Sequence, residues 1–201
     1  MSSLARSLTT WLLAIAGALA LFDPGAALAQ DDERNAVLVA KPHLLDPNFR
    51  ESVVVVAKAP NGAAVGVIIN RPTKKSLAQI LPGNETLARF TEPLFFGGPV
   101  EQVGLYALFR AEEPPGEALR ISRDLWLAIN PATVEQLMKH PPEQLRFFTG
   151  YSGWAPGQLA NELTRGDWWV LEADPDVAFR PDPSTLWEEL ARRARAVTAL
   201  R

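Results

Sequence analysis

Two apolar segments that lie close together in the chain decide the fold: Ser52-Val53-Val54-Val55-Val56-Ala57 and Ala64-Val65-Gly66-Val67-Ile68-Ile69. The first has four consecutive β-branched residues, which is typical of a strand covered on both faces. Pro60-Asn61-Gly62 lies between the two segments and has the composition of a turn. The pair therefore predicts a β-hairpin that is buried on both sides.

Strands and short helices alternate through the rest of the chain. Apolar runs predict further strands at 36–40, 104–109, 125–129, 145–149 and 168–171. Capping residues, glycines and prolines predict short helices at 76–81, 131–139 and 156–165 and a last helix from 183 or 184 onward. Residues 150–154 are predicted as a loop between a strand and the helix at 156. Because the alternation has no regular strand–helix–strand period, it favours an α+β fold over a doubly wound parallel sheet.

The N-terminal 29 residues have the organisation of a secretory signal peptide. Arg6 precedes an uninterrupted apolar run from Trp11 to Phe22, which is shorter than the roughly 20 residues needed to span a membrane. Asp23-Pro24-Gly25 ends that run, and Ala27-Leu28-Ala29 fits the small-x-small cleavage pattern. We expect cleavage after Ala29, one mature domain over 30–201, and a periplasmic or secreted location. The alternative is an uncleaved N-terminal segment that anchors the domain in the membrane.

The composition excludes several kinds of site. The chain contains no cysteine, so disulfides, thiolate metal sites and cysteine nucleophiles are excluded. Its only histidines are His43 and His140, and each stands beside a proline in a break between elements. The sequence therefore predicts no metal site and no cofactor. A formal net charge of −3 also argues against nucleic acid as a partner, because phosphate binding requires a clustered basic surface.

Four groups of motifs follow one another in a particular order. They are Leu38-Val39-Ala40-x-Pro42 with Asp46-Pro47-Asn48-Phe49-x-x-Ser52-Val53-Val54, then Gly66-x-x-Ile69-Asn70-Arg71-Pro72, then Phe96-Gly97-Gly98-Pro99-Val100, and last Gly150-Tyr151-x-Gly153-Trp154-x-Pro156-Gly157-Gln158-Leu159-x-x-Glu162-Leu163. Each motif is weak alone, but their order is specific. From about Val37 to Trp187 the chain resembles the AlgH/YqgE family of small bacterial proteins.

The resemblance implies an α+β fold in which a mixed or antiparallel sheet curls into a small, closed β-barrel-like core surrounded by short helices. It implies no established activity and supplies no catalytic residues, although some members carry the label of a transcriptional regulator. The chain departs from the pattern at two places: Ala57-Lys58 stand where members often have Glu-His, and Leu108-Phe109 where many have Leu-His. The signal peptide is a further departure, because the family pattern normally begins close to the N-terminus.

The glycine- and aromatic-rich segment from Gly150 to Leu159 is the first candidate binding site. A loop that leads directly into a helix presents backbone N–H groups to an anion or a carboxylate, and Ser152, Trp154 and Gln158 would add polar and aromatic contacts. The alternative is structural: the glycines form a tight turn, Trp154 fills the core and Pro156 begins the helix. The segment is not a nucleophile elbow, because Trp154 stands where that motif requires glycine.

The turn Asn70-Arg71-Pro72, with Lys74 and Lys75 nearby, is the second candidate. It would bind a phosphate or an acidic partner, or it is a solvated strand end in which the arginine holds a loop. Gly97-Gly98-Pro99 lacks the lysine and serine of a phosphate loop and predicts a tight turn or a close backbone approach. The complete set of candidate ligand-binding residues is Asn70, Arg71, Gly97, Gly98, Gly150, Tyr151, Ser152, Gly153, Trp154, Gly157 and Gln158.

Three functions stay open at this stage. The lack of a catalytic set favours a non-catalytic binding or regulatory module for an unknown protein or a small anionic ligand, with membrane contact only during export or through an uncleaved signal. The alternative is an enzyme that uses carboxylates, for which Asp46, Glu162 and Asp167 qualify if a pocket pairs two of them. Transcriptional regulation rests on the family label alone, and export, the acidic balance and the lack of a helix-turn-helix pattern oppose it.

Overall fold

The computed structural model describes residues 36–59, 61–80 and 82–199, so the predicted signal peptide and its cleavage site lie outside the described residues. In chain order the strands are β1 (Ala36–Ala40), β2 (Val53–Lys58), β3 (Ala64–Ile68), β4 (Pro72–Ser76), β5 (Pro93–Phe96), β6 (Val100–Arg110), β7 (Leu119–Arg120), β8 (Leu125–Ala128), β9 (Leu145–Trp154) and β10 (Trp168–Glu172). The helices are α1 (Leu77–Ile80), α2 (Pro131–Lys139), α3 (Gln158–Arg165), α4 (Pro175–Ala178) and α5 (Leu186–Ala199). None of the helices in these ranges is long and apolar enough to cross a membrane.

The predicted hairpin is confirmed as β2 and β3, which pair antiparallel with Val54 opposite Ile68. Strand β1 pairs with the other edge of β2, so the hairpin is central in the sheet. Val55 packs in the interior cluster of the molecule, whereas Val54 and Val56 pack in a second cluster on the outer face. Both faces of β2 are therefore buried, which explains why the strand is β-branched throughout instead of alternating.

The strands form one curled, mixed sheet in the order β10-β1-β2-β3-β9-β6-β8-β7. Neighbours on this path are antiparallel, while β5 runs parallel to β9 and carries β4 on its other edge. Strand β9 joins the two halves of the sheet, because its end pairs with β3 and its beginning with β6. The α+β prediction is confirmed. In the described residues no ladder connects β10 to β7, so the sheet is a half-barrel and not the closed barrel that the resemblance implies.

Short helices cover the sheet on its outer faces and close its open side. Helix α3 contributes Leu159 to the apolar cluster outside β1–β3, and α2 contributes Val134 and Leu137 to the cluster outside β6 and β8. Helix α5 places Leu186 and Leu190 in the interior cluster and packs against β1 and β10. As predicted, Asn130 caps α2, with its side-chain oxygen accepting a hydrogen bond from the Ala132 N–H at 2.9 Å.

The predicted loop at 150–154 is wrong, because β9 continues through these residues as far as Trp154. Gly150 has a φ of +67°, and the register between β6 and β9 shifts between Val100 and Leu105. The glycine thus allows an irregularity within a strand instead of ending it. Helix α3 begins at Gln158 and not at Pro156, since the intervening Gly157 is left-handed with a φ of +79°.

Candidate functional site

The glycines of two motifs face each other where β5 ends and β9 becomes irregular. The Gly97 N–H donates to the Thr149 carbonyl oxygen at 2.9 Å, and the fully buried Ser152 hydroxyl donates to the Gly97 carbonyl oxygen at 2.9 Å. A Cβ added to Gly97 would overlap the Gly150 carbonyl oxygen, and one added to Gly98 would overlap the backbone of Tyr151. In this structure these residues form a close crossing of two backbones.

The remaining residues of the Gly150–Trp154 segment also contact the protein itself. The Tyr151 ring packs edge-on against the Tyr106 ring, with 5.2 Å between their centroids, and Gly153 pairs with Val65 of β3. The Tyr106 hydroxyl donates to the Glu101 carboxylate at 2.7 Å. Burial, followed by this hydrogen bond, raises the pKa of Tyr106 well above its ordinary value.

The carboxylate of Glu162 in α3 accepts hydrogen bonds from three side chains. The indole N–H groups of Trp154 and Trp168 each donate to Glu162 Oε2 at 2.9 Å, and the Gln158 amide donates to Oε1 at 3.0 Å. Gln158 also accepts a hydrogen bond from the Ala155 N–H at 3.2 Å. The Trp154 ring is buried, as the structural alternative predicts. Gly157 differs from Gly97, Gly98 and Gly150, because no other part of the protein packs closely against it: no atom lies within 4 Å of a Cβ built on it.

Asn70 and Arg71 hold the loop that precedes β2. The Asn70 amide donates to the Glu51 carbonyl oxygen at 2.9 Å, and the Arg71 guanidinium donates to the carbonyl oxygens of Asn48 at 2.6 Å and Arg50 at 2.7 Å. These bonds retain Glu51 at a φ of +53°, which is a strained backbone for a residue with a side chain. Burial, and secondarily the charge of Arg50, lowers the pKa of Arg71. The arginine therefore holds a loop in this structure. Because Asn70 and Arg71 also line a second cleft of about 350 Å³, binding at this turn stays a prediction.

The three carboxylates considered for an enzyme each have separate surroundings. Asp46 is exposed, whereas Glu162 binds the two indoles. Asp167 forms an ion pair with Arg165 at 2.7 Å and lies 3.8 Å from the His43 imidazole. Within the described ranges, no group of three or more histidine, aspartate or glutamate side chains is arranged to hold a metal ion.

A cleft of about 300 Å³ that no motif predicts opens at the beginnings of β5 and β9. The two parallel strands pair only through Phe95 with Phe148 and Phe96 with Thr149, and the residues before these pairs line the gap between the strands. Apolar and aromatic side chains form about half of its walls, and charged and polar side chains form the rest. The residues that line the cleft include Leu77, Arg89, Phe90, Glu92, Leu94, Glu143, Arg146, Phe147 and Phe179.

Arg146 is the most unusual residue of this cleft. Its guanidinium donates to the carbonyl oxygens of Ala178 at 2.8 Å and Arg180 at 2.9 Å and lies 4.3 Å from the centre of the Phe95 ring. Burial lowers the pKa of Arg146 to about 10, opposed by the charge of Glu92, so the side chain remains a cation at neutral pH. Among the described residues, no carboxylate oxygen lies within 4.0 Å of it.

Sequence reasoning missed Arg146, although one signal was present. It is the only charged residue in the predicted strand Leu145-Arg146-Phe147-Phe148-Thr149. A charge inside an apolar strand needs partners or a function, because desolvating it is costly. Most of the candidate site residues came instead from glycine-rich motifs, in which Gly97, Gly98 and Gly150 serve close backbone packing.

Comparison with known proteins places the chain among a broad set of relatives. A family model described as DUF179, AlgH-like, matches residues 37–198. The UPF0301 protein of Streptomyces avermitilis is 37% identical over 171 residues, which cover 82% of this chain and 88% of the relative. The UPF0301 protein ML0028 of Mycobacterium leprae is 33% identical over 179 residues, covering 87% of this chain and 89% of that protein.

Two solved structures share the fold. The solution structure of AlgH from Pseudomonas aeruginosa superposes with a TM-score of 0.62 at 27% identity and covers 79% of this chain and 87% of its own. The crystal structure of protein DIP2367 from Corynebacterium diphtheriae gives a TM-score of 0.65 at 27% identity, covering 80% of this chain and 86% of its own. With nearly all described residues matched by the family model, this chain belongs to the AlgH-like family of UPF0301 proteins.

Proposed function

We propose that this chain is an exported, non-catalytic binding protein that holds a small ligand in the cleft at the beginnings of β5 and β9. The observation that carries the proposal is Arg146, a partly buried cation with no carboxylate partner among the described residues, on the wall of a cleft that also has an aromatic and aliphatic lining. Ligand sites are typically concave and apolar with a few fixed polar groups. The export part of the proposal rests on residues 1–29, whose sequence has the organisation of a signal peptide.

The proposal that the protein is not an enzyme is supported by the hydrogen bonds and ion pairs of the residues considered for catalysis. Glu162 accepts hydrogen bonds from two strands, Asp167 is ion-paired with Arg165, and the buried Ser152 hydroxyl donates to a backbone carbonyl oxygen. A nucleophile needs a general base within hydrogen-bond reach, and in the part of the chain that the structure describes the Ser152 hydroxyl donates to a backbone carbonyl oxygen and not to a base. Binding without chemistry is the simpler use of the cleft.

Thermal unfolding of residues 30–201 tests the proposal. The melting temperature is measured with a panel of anionic, cationic and neutral envelope metabolites, because any ligand that binds only the folded state raises it. We expect some compounds of the panel to raise the melting temperature of the wild type, with a much smaller rise for Arg146→Gln. Arg193→Gln, which alters an exposed arginine of α5, is the matched control and should respond like the wild type. A panel in which no compound shifts the wild-type transition would contradict the proposal.

A further inference from the structure

We infer that the ligand of this cleft is a small carboxylic acid with a flat apolar body, and that Arg146 binds its carboxylate. The inference rests on the proposed function, since it identifies the chemical class that the same cleft accepts.

The guanidinium of Arg146 is fixed in orientation but only partly used. Two of its five N–H groups donate to backbone carbonyl oxygens, of Ala178 and Arg180, and the Phe95 ring supports one side of its plane. In the described part of the chain, the other three N–H groups have no recorded protein acceptor. A carboxylate matches such a planar fork with two parallel hydrogen bonds. Because the arginine is already immobilised, little side-chain entropy is lost on binding.

The other charges of the cleft favour a ligand with a single negative charge. Arg89 also lines the cleft, where one of its terminal nitrogens donates to the carbonyl oxygens of Met138 and Lys139 at the end of α2. Two carboxylates at the same cleft offset its positive charge. Glu92 and Glu143 are exposed at the cleft, and they would repel a doubly charged phosphate more strongly than a carboxylate. The charge pattern therefore selects a monoanion over a phosphate ester.

The walls supply the apolar part of the site. Phe90 and Phe147 pack edge-to-face with 5.1 Å between their ring centroids, and Leu77, Leu94 and Phe179 also line the space. A volume of about 300 Å³ lies at the lower end of the range of small-molecule sites. One aromatic ring with a short acid chain is a ligand of the right size, and edge-to-face contacts with phenylalanine rings favour a flat body.

The test uses 3-phenylpropionate and molecules that differ from it in one group. Binding to residues 30–201 is measured by calorimetry and by amide chemical shifts for 3-phenylpropionate, 3-phenylpropan-1-ol, 3-phenylpropylamine, acetate and inorganic phosphate. We expect the acid to bind at least tenfold more tightly than the alcohol, the amine and phosphate, and acetate to bind more weakly because it lacks the ring. In the wild type, the shifts caused by the acid should be confined to residues near 89–94 and 143–147.

Variants of Arg146 separate charge from geometry. Arg146→Lys keeps the charge but loses the planar fork, so we expect affinity for the acid to fall at least tenfold, and Arg146→Gln should lose it further. Arg193→Gln should bind as the wild type does. If Arg146→Gln does not fold, Arg146→Lys and the wild-type shift map still decide the question. Equal affinity for acid and alcohol, tighter binding of phosphate, or shifts centred elsewhere would each overturn the inference.

The experiments distinguish failure of the proposed binding function from failure of the inferred ligand class. If the metabolite panel yields ligands that compete for the cleft but none of them is an apolar acid, the proposed binding function stands and the assignment of the carboxylate is wrong. If no compound of any class binds, both are wrong. Binding of the acid with shifts at residues 89–94 and 143–147 supports both.

Discussion

At the residue scale, the clearest consequence of the structure concerns Gly97. Its backbone runs so close to β9 that an added Cβ would overlap the Gly150 carbonyl oxygen and press on the Phe148 and Val67 side chains. Backbone atoms cannot move aside as a flexible side chain can, so Gly97→Ala should lower the free energy of unfolding by about 3 kcal/mol or more, at the top of the range for overpacking. Urea denaturation followed by tryptophan fluorescence measures this loss.

Gly157→Ala is the matched control for that substitution. Gly157 has a φ of +79°, but a Cβ built there meets no atom within 4 Å. The free energy of unfolding of the variant should therefore fall only by the cost of a left-handed backbone for alanine, about 1–2 kcal/mol. Equal losses in the two variants would show that close backbone packing at Gly97 is not the reason for the glycine.

The phenol of Tyr106 provides a second test at this scale. Burial and the hydrogen bond to Glu101 raise its pKa above the ordinary 10.0, so it should resist ionisation in the folded protein. The chain has two tyrosines, and Tyr151→Phe leaves Tyr106 alone to be followed by phenolate absorbance during an alkaline titration. We expect a midpoint well above 10 while circular dichroism shows the fold intact, and an ordinary midpoint in urea.

The sign of the accompanying stability change follows from the same shift. Because the pKa of Tyr106 is raised in the folded state, its contribution to stability is fully present below about pH 10 and is lost as the pH rises toward the folded-state value. A folded-state midpoint at or below 10 would mean that in solution Tyr106 is neither buried nor hydrogen-bonded to Glu101 as it is in this structure.

At the scale of elements, one carboxylate of helix α3 forms hydrogen bonds to two strands of the sheet, in addition to the apolar packing of Leu159. Glu162 accepts the indole N–H groups of Trp154 on β9 and Trp168 on β10. Glu162→Ala leaves both donors without this partner, and each unsatisfied buried donor costs about 1–3 kcal/mol. We expect a loss of about 2–4 kcal/mol in the free energy of unfolding, with a change in the near-ultraviolet circular dichroism of the tryptophans.

Two further variants sharpen the result for Glu162. Glu162→Gln keeps an acceptor oxygen and should lose distinctly less stability than Glu162→Ala. Glu85→Ala removes an exposed carboxylate and should change stability by less than about 0.5 kcal/mol. If Glu162→Ala behaved like Glu85→Ala, the hydrogen bonds of the Glu162 carboxylate would not stabilise the fold.

Comparison of the predicted and observed elements shows which parts of the fold the sequence predicts. The β2–β3 hairpin and the Asn130 cap of α2 were predicted correctly, because each depends on local composition and local hydrogen bonds. Strand β4 was missed, since Pro72–Ser76 is polar and becomes a strand only by pairing with β5. The second half of β9 was mistaken for a loop, because its glycines are required by backbone contacts with residues distant in sequence.

At the scale of the whole molecule, strand β9 connects the motif glycines with the cleft. The end of β9 carries the motif glycines and joins the two halves of the sheet, while its beginning lines the cleft with Arg146 and Phe147. The motifs that support the family assignment thus build the scaffold. The proposed ligand contacts come from the strand's other end, where nothing in the local sequence except an isolated charge marked them.

At the same scale, the predicted export of the protein can be tested directly. The small-x-small pattern Ala27-Leu28-Ala29 predicts that the native protein begins at Gln30, and cell fractionation followed by N-terminal sequencing checks this. Ala29→Leu should leave the chain uncleaved and membrane-associated, because signal peptidase requires a small residue at that position, whereas Leu28→Ala should be processed normally. A native protein that begins at Met1 in the cytoplasm would refute export, and the ligand would then have to be sought among cytoplasmic acids.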